Sequence, residues 1–168
     1  MQKPWDFSRG FDRLEKPFLL LLGESGRGKT FLSHCMAGEL LESAHSVIYY
    51  SAKDLFDRLA DVKFRRGKAD PDENAFDPAA LTEADLLIID DLGTEYANDF
   101  TVSEFFSILN SRVSAGKGMI ISTNLSLKNL SDSYSPRIMS RIMENFTLLH
   151  LFGKDIRIMK RMGGISEA

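Results

Sequence analysis

Residues 19–30 read LLLLGESGRGKT, so four leucines run directly into a glycine-rich loop that ends in Lys29-Thr30. The loop matches the pattern G-x-x-x-x-G-K-[ST], with the apolar run before it and the amphipathic stretch after it that this pattern requires. Glycines let backbone N–H groups converge on phosphate oxygens, and the positive end of the following helix faces the same anion. The sequence therefore predicts a buried strand that positions a phosphate-binding loop at the start of a helix.

Composition restricts the class of protein further. The chain has 168 residues, which fits a single domain over 1–168, and its net charge of -3 means that nucleic-acid contacts must come from a local basic patch. The single cysteine, Cys35, excludes an internal disulfide framework and is typical of a reducing compartment. The apolar run before the loop is too short for a membrane span, and no cleavage site follows it. We therefore expect a soluble, cytoplasmic protein without membrane contacts.

Short apolar runs alternate with longer segments of helical periodicity. Strands are predicted at 18–22, 47–50, 86–89, 119–121 and 146–151. Helices are predicted at 30–41, at 55–64, around the apolar stripe Phe105, Phe106, Leu109 and Val113, and from Ser135-Pro136 onward. Apolar strands that alternate with helices indicate an α/β fold with a five-stranded parallel sheet covered on both faces. Residues 67–84 are acidic and turn-rich, which indicates a surface excursion with a short helical tail.

The loop supplies the candidate cofactor-binding residues. Lys29 carries a mobile positive charge for the β- and γ-phosphates, and the Thr30 hydroxyl is a candidate ligand for Mg²⁺. We therefore expect ATP and Mg²⁺ as cofactors. The candidate nucleotide-binding set is Gly23, Glu24, Ser25, Gly26, Arg27, Gly28, Lys29, Thr30 and Phe31.

Two acidic residues follow the apolar run at 86–89. Asp90 ends this strand and is predicted to hold Mg²⁺ through water. Asp91 comes next, and strand alternation predicts that it points to the other side, where it would polarise an attacking water. Glu95 lies nearby in the sequence and is an alternative base.

Polar groups in the second half of the chain add further candidates. Asn124 ends the apolar run that begins at Met119, so it is a candidate for orienting the lytic water or contacting the γ-phosphate, with a turn-forming role as the alternative. Arg137 and Arg141 lie i,i+4 on one face of the helix that begins at Pro136. Arginine in a first helical turn faces the unfavourable end of the helix dipole. Either an intramolecular ion pair or a finger that reaches a neighbouring subunit's nucleotide would explain it.

In this order, the motifs GESGRGKTFLS, LLIIDDLG, IISTNLS, SPRIMSRI and GKDIR resemble the AAA+ ATPases of the DnaC/DnaI helicase-loader and IstB transposition-helper group. The resemblance covers most of the chain. It implies a P-loop NTPase sheet in which the Asn124 strand is inserted between the phosphate-loop strand and the Asp90 strand. It also implies sensor 1 at Asn124, an arginine finger at Arg141 or Arg137, and a contact of Arg157 with the phosphates.

The resemblance also implies partners. Members of this group assemble on single-stranded DNA beside a replicative DnaB-type helicase, so we expect these two partners and nucleotide-dependent self-association. The alternatives are a transposition helper, a nucleotide-gated DNA-binding adaptor with negligible turnover, and a small-molecule kinase. We expect the loaders' N-terminal helicase-binding domain to be missing from this chain, with little or no C-terminal lid. Asp90-Asp91 stands where many AAA+ proteins carry Asp-Glu, which predicts slow hydrolysis.

A basic cluster with the sequence KFRRGK begins the excursion. It places Lys63, Arg65, Arg66 and Lys68 around Phe64, in a region that helps to contact DNA in the initiator and loader proteins of the group. Phosphate contacts from the basic side chains and base stacking on Phe64 would suit single-stranded DNA. A solvated helix end is the alternative interpretation.

Overall fold

A parallel sheet forms the centre of the chain. The computed structural model describes residues 4–64, 76–156 and 158. Its strands are β1 (Phe18–Leu22), β2 (Val47–Ser51), β3 (Leu86–Leu92), β4 (Gly118–Thr123) and β5 (Thr147–His150). They pair in parallel in the order β2-β3-β4-β1-β5. Since β4 lies between β1 and β3, the predicted α/β fold class and the predicted strand insertion are both confirmed.

Helices cover both faces of this sheet. They are α1 (Pro4–Arg9), α2 (Lys29–Glu42), α3 (Ala52–Phe64), α4 (Ala80–Glu83), α5 (Asp99–Ala115), α6 (Leu127–Tyr134) and α7 (Pro136–Asn145), with a 3-10 helix at Phe11–Arg13. Alternate residues of β1 belong to different apolar clusters. Leu20 packs with residues of α3, α5, α6 and α7, whereas Leu21 packs with residues of α1 and α2. Burial on both faces explains why the strands lack polar alternation.

The predicted elements and the observed ones differ mainly in short segments. Neither α1 nor α6 is among the predicted helices, because both are short and α6 is rich in polar residues. A cap signal for α6 is present, since the Ser126 hydroxyl accepts the N–H of Asn129 at 3.1 Å. The predicted last strand is too long, since Phe146 caps the end of α7 and its N–H donates to Ile142.

A buried arginine on α5 joins two sides of the fold. The Arg112 side chain is 0% exposed, and its guanidinium donates to the carbonyl oxygens of Leu81, Ala84 and Gly118 at 2.6, 2.9 and 3.1 Å. Burial lowers the pKa of Arg112 to about 10. The three guanidinium nitrogens therefore hold α4, the residues that follow it and the start of β4 against the last turn of α5, although arginine is ordinarily exposed to water.

No helix within 4–64, 76–156 and 158 is both long and apolar enough to cross a bilayer. The helical tail of the excursion is α4, as expected.

Candidate functional site

The phosphate-loop motif folds as a turn between β1 and α2. Gly26 and Gly28 have φ angles of 79° and 86°, in the left-handed region that favours glycine. At Gly26, an added Cβ would also collide with the Asp155 carboxylate. Gly28 is the N-cap of α2 and has no side chain to occupy the first N–H groups of the helix. These amides can therefore bind an anion at the positive end of the helix.

Lys29, the first residue of α2, turns its ammonium back onto the loop. Its side chain is buried, and Nζ donates to the carbonyl oxygens of Gly23 and Glu24 at 2.7 and 3.1 Å. The Glu24 carboxylate forms an exposed ion pair with Arg27. The loop therefore holds a desolvated cation next to its own backbone carbonyls, a position from which it can transfer to a phosphate oxygen.

A cavity of about 440 Å³ opens over the loop. It brings together most of the predicted loop set with one acidic residue of β3 and one residue of the GKDIR motif. Gly23, Glu24 and Arg27 are not on its lining. The residues that line it are Ser25, Gly26, Gly28, Lys29, Thr30, Phe31, Asp91 and Ile156.

The GKDIR motif reaches the loop through its backbone. The N–H of Ile156 donates to the carbonyl oxygen of Gly26 at 3.0 Å, and the Ile156 side chain lies close to Gly28. Apolar side chains on the cavity wall are Phe31 and Ile156, which are 72% and 39% exposed. Arg157, expected near the phosphates, lies outside the described residues.

Asp91 lies on a β-bulge. The register between β3 and β4 shifts between Ile89 and Leu92, and Asp91 has a φ of 54°. Regular strand alternation therefore does not set the direction of the Asp91 side chain, because the bulge interrupts the pleat. The Asp91 side chain, at this bulge, is exposed and lines the cavity.

Asp90 is held on both carboxylate oxygens. Its side chain is buried; Oδ2 accepts the Tyr49 hydroxyl at 2.8 Å and Oδ1 accepts the Ser122 hydroxyl. The Ser122 Oγ in turn accepts the N–H of Asp91 at 2.8 Å. Burial, reinforced by Asp90, raises the pKa of Tyr49 well above its ordinary value, so this phenol stays a donor. Asp90, which the sequence predicts to hold Mg²⁺ through water, is not on the cavity lining, and sequence reasoning missed both of its hydroxyl partners.

Both carboxylate oxygens of Glu95, the alternative base, accept hydrogen bonds from groups away from the cavity. Its Oε2 accepts the N–H of Gly93 at 3.0 Å, and its Oε1 accepts the hydroxyl of Tyr134 on α6. Burial raises the pKa of the Glu95 carboxyl. These contacts connect the segment after β3 to α6, and Glu95 does not line the cavity.

Asn124 and the two arginines lie away from the cavity lining. Asn124 directly follows β4 and is exposed. Arg137 and Arg141 are exposed on α7, and Arg141 forms an i,i+3 ion pair with Glu144 at 3.4 Å. An exposed pair of this kind contributes about 0–1 kcal/mol, which a neighbouring phosphate can readily replace. The roles of these three side chains stay predictions.

The basic cluster is described only in part. Lys63 pairs with Glu104 of α5 and lies 5.1 Å from the centroid of the Phe100 ring. Phe64 is 69% exposed, and its ring lies 5.1 Å from that of Phe100. Arg65, Arg66 and Lys68 lie outside the described residues.

The residues expected to hold Mg²⁺ suit that ion. Within the part of the chain that the structure describes, no group of three or more histidine, cysteine, aspartate or glutamate side chains could hold a metal ion by itself. Mg²⁺ commonly binds through one or two carboxylates, water and substrate phosphates. The Asp90 carboxylate and the Thr30 hydroxyl are oxygen donors of this kind, so the donor set fits.

Comparisons with known proteins find related sequences and folds. A family model described as "IstB-like ATP binding protein" matches residues 12–157. The chromosomal replication initiator protein DnaA of Zymomonas mobilis is 35% identical over 127 residues, which cover 74% of this chain and 25% of that protein. The chain thus spans about a quarter of the length of this curated relative.

Solved structures share the fold. The crystal structure of the DnaC helicase loader superposes with a TM-score of 0.75 at 24% identity, and covers 89% of this chain and 86% of that one. The replication initiator DnaA bound to AMPPCP and single-stranded DNA superposes with a TM-score of 0.71 at 25% identity, and covers 93% of this chain and 48% of that one.

Proposed function

The chain belongs to the family of IstB-like ATP binding proteins, and from this premise we propose that it hydrolyses ATP slowly as the AAA+ domain of a DNA replication helicase loader. The observation that carries the proposal is the cavity over the phosphate loop. Lys29, Thr30 and Asp91 share its lining with the glycine backbone of the loop. A desolvated cation, a hydroxyl, backbone amides and a carboxylate in one place are the groups that nucleoside triphosphate hydrolysis requires.

Each described group has a role in this proposal. The first amides of α2 bind the phosphates, and Lys29 exchanges the carbonyl oxygens of Gly23 and Glu24 for β- and γ-phosphate oxygens. Thr30 and Asp90 would hold Mg²⁺, which neutralises charge on the phosphates when bound. Asp91 orients a water and accepts its proton as the water oxygen bonds to the γ-phosphorus and the bond to the β-phosphate oxygen breaks. The products are ADP and inorganic phosphate.

The choice of helicase loading rests on similarity. The DnaC helicase loader and the DnaA initiator share this fold, and the DnaA structure holds an ATP analogue together with single-stranded DNA. We therefore assign a replicative DnaB-type helicase and single-stranded DNA as partners, with nucleotide-dependent self-association. The second candidate is a transposition helper or a nucleotide-gated adaptor, and it is supported by a family description that names ATP binding and likeness to IstB.

For single-stranded DNA, the surface that supports the proposal is the end of α3. Phe64 is largely exposed and offers a ring face for base stacking, while Lys63 lies beside it over Phe100. Lys63 is paired with Glu104, so it would contribute to DNA binding only after exchanging that partner for a phosphate.

The experiment compares nucleotide binding and turnover in the protein and in two lysine variants. Lys29→Ala should weaken ATP binding at least about 100-fold, because the phosphates lose their charge-assisted partner. Lys53→Ala is the matched control, since that lysine is exposed and pairs with Asp57 on the surface of α3, and it does not line the cavity. Calorimetry would give the affinities, and phosphate release with and without single-stranded DNA would give the turnover. Equal ATP affinity in Lys29→Ala and Lys53→Ala would refute the nucleotide site.

A further inference from the structure

A tyrosine on β2 holds one oxygen of Asp90. In the β2–β3 register Ser51 lies opposite Asp90, so Tyr49, two residues earlier, is on the same sheet face. From there the Tyr49 hydroxyl donates to Asp90 Oδ2 at 2.8 Å, across 41 residues of sequence. Ser122 on β4 donates to the other oxygen. Asp90 is thus fixed between hydroxyls from the strands on either side of β3.

The ring of Tyr49 is held in turn by the first turns of α2. His34 stacks on it with ring centroids 4.5 Å apart and an interplanar angle of 27°. The Nδ1 of His34 lies 2.8 Å from the carbonyl oxygen of Thr30, so a hydrogen on Nδ1 donates to that carbonyl. The contacts from the Thr30 carbonyl through His34 and Tyr49 to the Asp90 carboxylate therefore connect the two residues that would hold Mg²⁺, although these lie on different elements.

We propose that Tyr49 is a positioning residue that sets the Mg²⁺ affinity of the nucleotide site by fixing the Asp90 carboxylate. This inference rests on the proposed function. An ionised carboxylate has about four acceptor positions, so the Tyr49 and Ser122 bonds leave acceptor capacity for a metal-bound water. The two bonds also restrict the rotation of the carboxylate. Metal binding therefore does not have to supply the entropy cost of fixing the orientation of this carboxylate. Partners that orient a metal-holding group typically alter metal affinity or activity by about 10–100-fold.

Tyr49→Phe tests this step because it removes the hydroxyl and keeps the ring that stacks on His34. We expect the Mg²⁺ concentration for half-maximal ATP binding, and for half-maximal ATP turnover, to rise about 10-fold. ATP affinity in EDTA, and turnover at saturating Mg²⁺, should stay close to those of the unaltered protein. A purely structural role of Tyr49 would instead lower ATP binding with and without Mg²⁺ alike, and would overturn the proposal.

Tyr50→Phe is the matched control. Tyr50 is the next residue of β2 and faces the opposite side of the sheet, where its ring contacts Phe76 and the Arg58 guanidinium. The Mg²⁺ dependence of ATP binding and turnover in Tyr50→Phe should equal that of the unaltered protein. Calorimetric titration of ATP at a series of Mg²⁺ concentrations, with thermal melting of each apo variant, gives both readouts.

A second variant covers the case in which Tyr49→Phe does not fold. His34→Ala removes an exposed side chain that stacks on Tyr49, and should raise the required Mg²⁺ in the same direction but by less than 10-fold. Unaltered Mg²⁺ dependence in Tyr49→Phe or, where that variant does not fold, in His34→Ala would overturn the role of Tyr49 while the nucleotide site stands. Absence of any ATP binding by the unaltered protein would instead refute the proposed function.

Discussion

At the scale of single residues, two carboxylates compete for the role of base, and their surroundings separate them. Asp91 is exposed on the cavity lining, whereas Glu95 is partly buried and accepts hydrogen bonds from Gly93 and Tyr134. A group that must accept a proton from water needs access to that water. Asp91 has this access, and Glu95 would have to give up two bonds to gain it.

We therefore predict that Asp91→Asn keeps ATP bound and slows its hydrolysis. The amide cannot accept the proton, so kcat should fall by about 100-fold or more, while the ATP dissociation constant stays within about twofold. Glu95→Gln is the control and should keep turnover per folded molecule. Single-turnover phosphate release and calorimetry measure the two quantities. Normal hydrolysis by Asp91→Asn, together with loss in Glu95→Gln, would move the role to Glu95.

At the scale of elements, the apolar periodicity predicts the main strands and helices, because burial on both sheet faces requires unbroken apolar runs. The bulge at Asp91 could not be predicted from the sequence. The apolar pattern of β3 is compatible with a regular strand and with a bulged one, so it does not reveal the register shift. The loop residues were predictable because they are contiguous in the sequence. Tyr49 and Ser122 were not, because strand order alone brings them to Asp90.

Arg112 shows how one side chain can connect elements that the sequence leaves unrelated. We predict that Arg112→Met lowers the free energy of unfolding by at least about 3 kcal/mol, because several buried carbonyls lose a charged donor. Arg58→Met is the matched control. Arg58 is exposed and lies 5.5 Å from the centroid of the Tyr50 ring, so the change should cost less than about 1 kcal/mol. Urea unfolding at neutral pH measures the free energy of unfolding of both variants. Similar decreases in the two would contradict the role of Arg112 in holding α4 and β4 against α5.

At the scale of the whole molecule, α7 carries two exposed arginines that could contact a second copy of the chain. Ile138 and Ile142 are buried and fix α7 against the domain, which leaves Arg137 and Arg141 exposed on its other side. The weak pair of Arg141 with Glu144 leaves this guanidinium available to a nucleotide bound by a second copy of the chain. A finger of this kind makes turnover depend on contact between copies, whereas an internal ion pair does not.

Mixing two inactive variants separates these roles. Arg141→Ala should keep ATP affinity and lose turnover, with about 10³-fold as the lower range for fingers in related chemistry. Lys29→Ala keeps its own Arg141 but lacks the charge that holds the phosphates. Added to Arg141→Ala, it should restore phosphate release by supplying its arginine across the interface, and turnover by the unaltered protein should rise with its concentration. Arg137→Ala, one helical turn earlier, is the control. Rescue of Arg137→Ala alone would place the finger there, and no rescue of either variant at concentrations where the unaltered protein assembles would leave α7 with a structural role only.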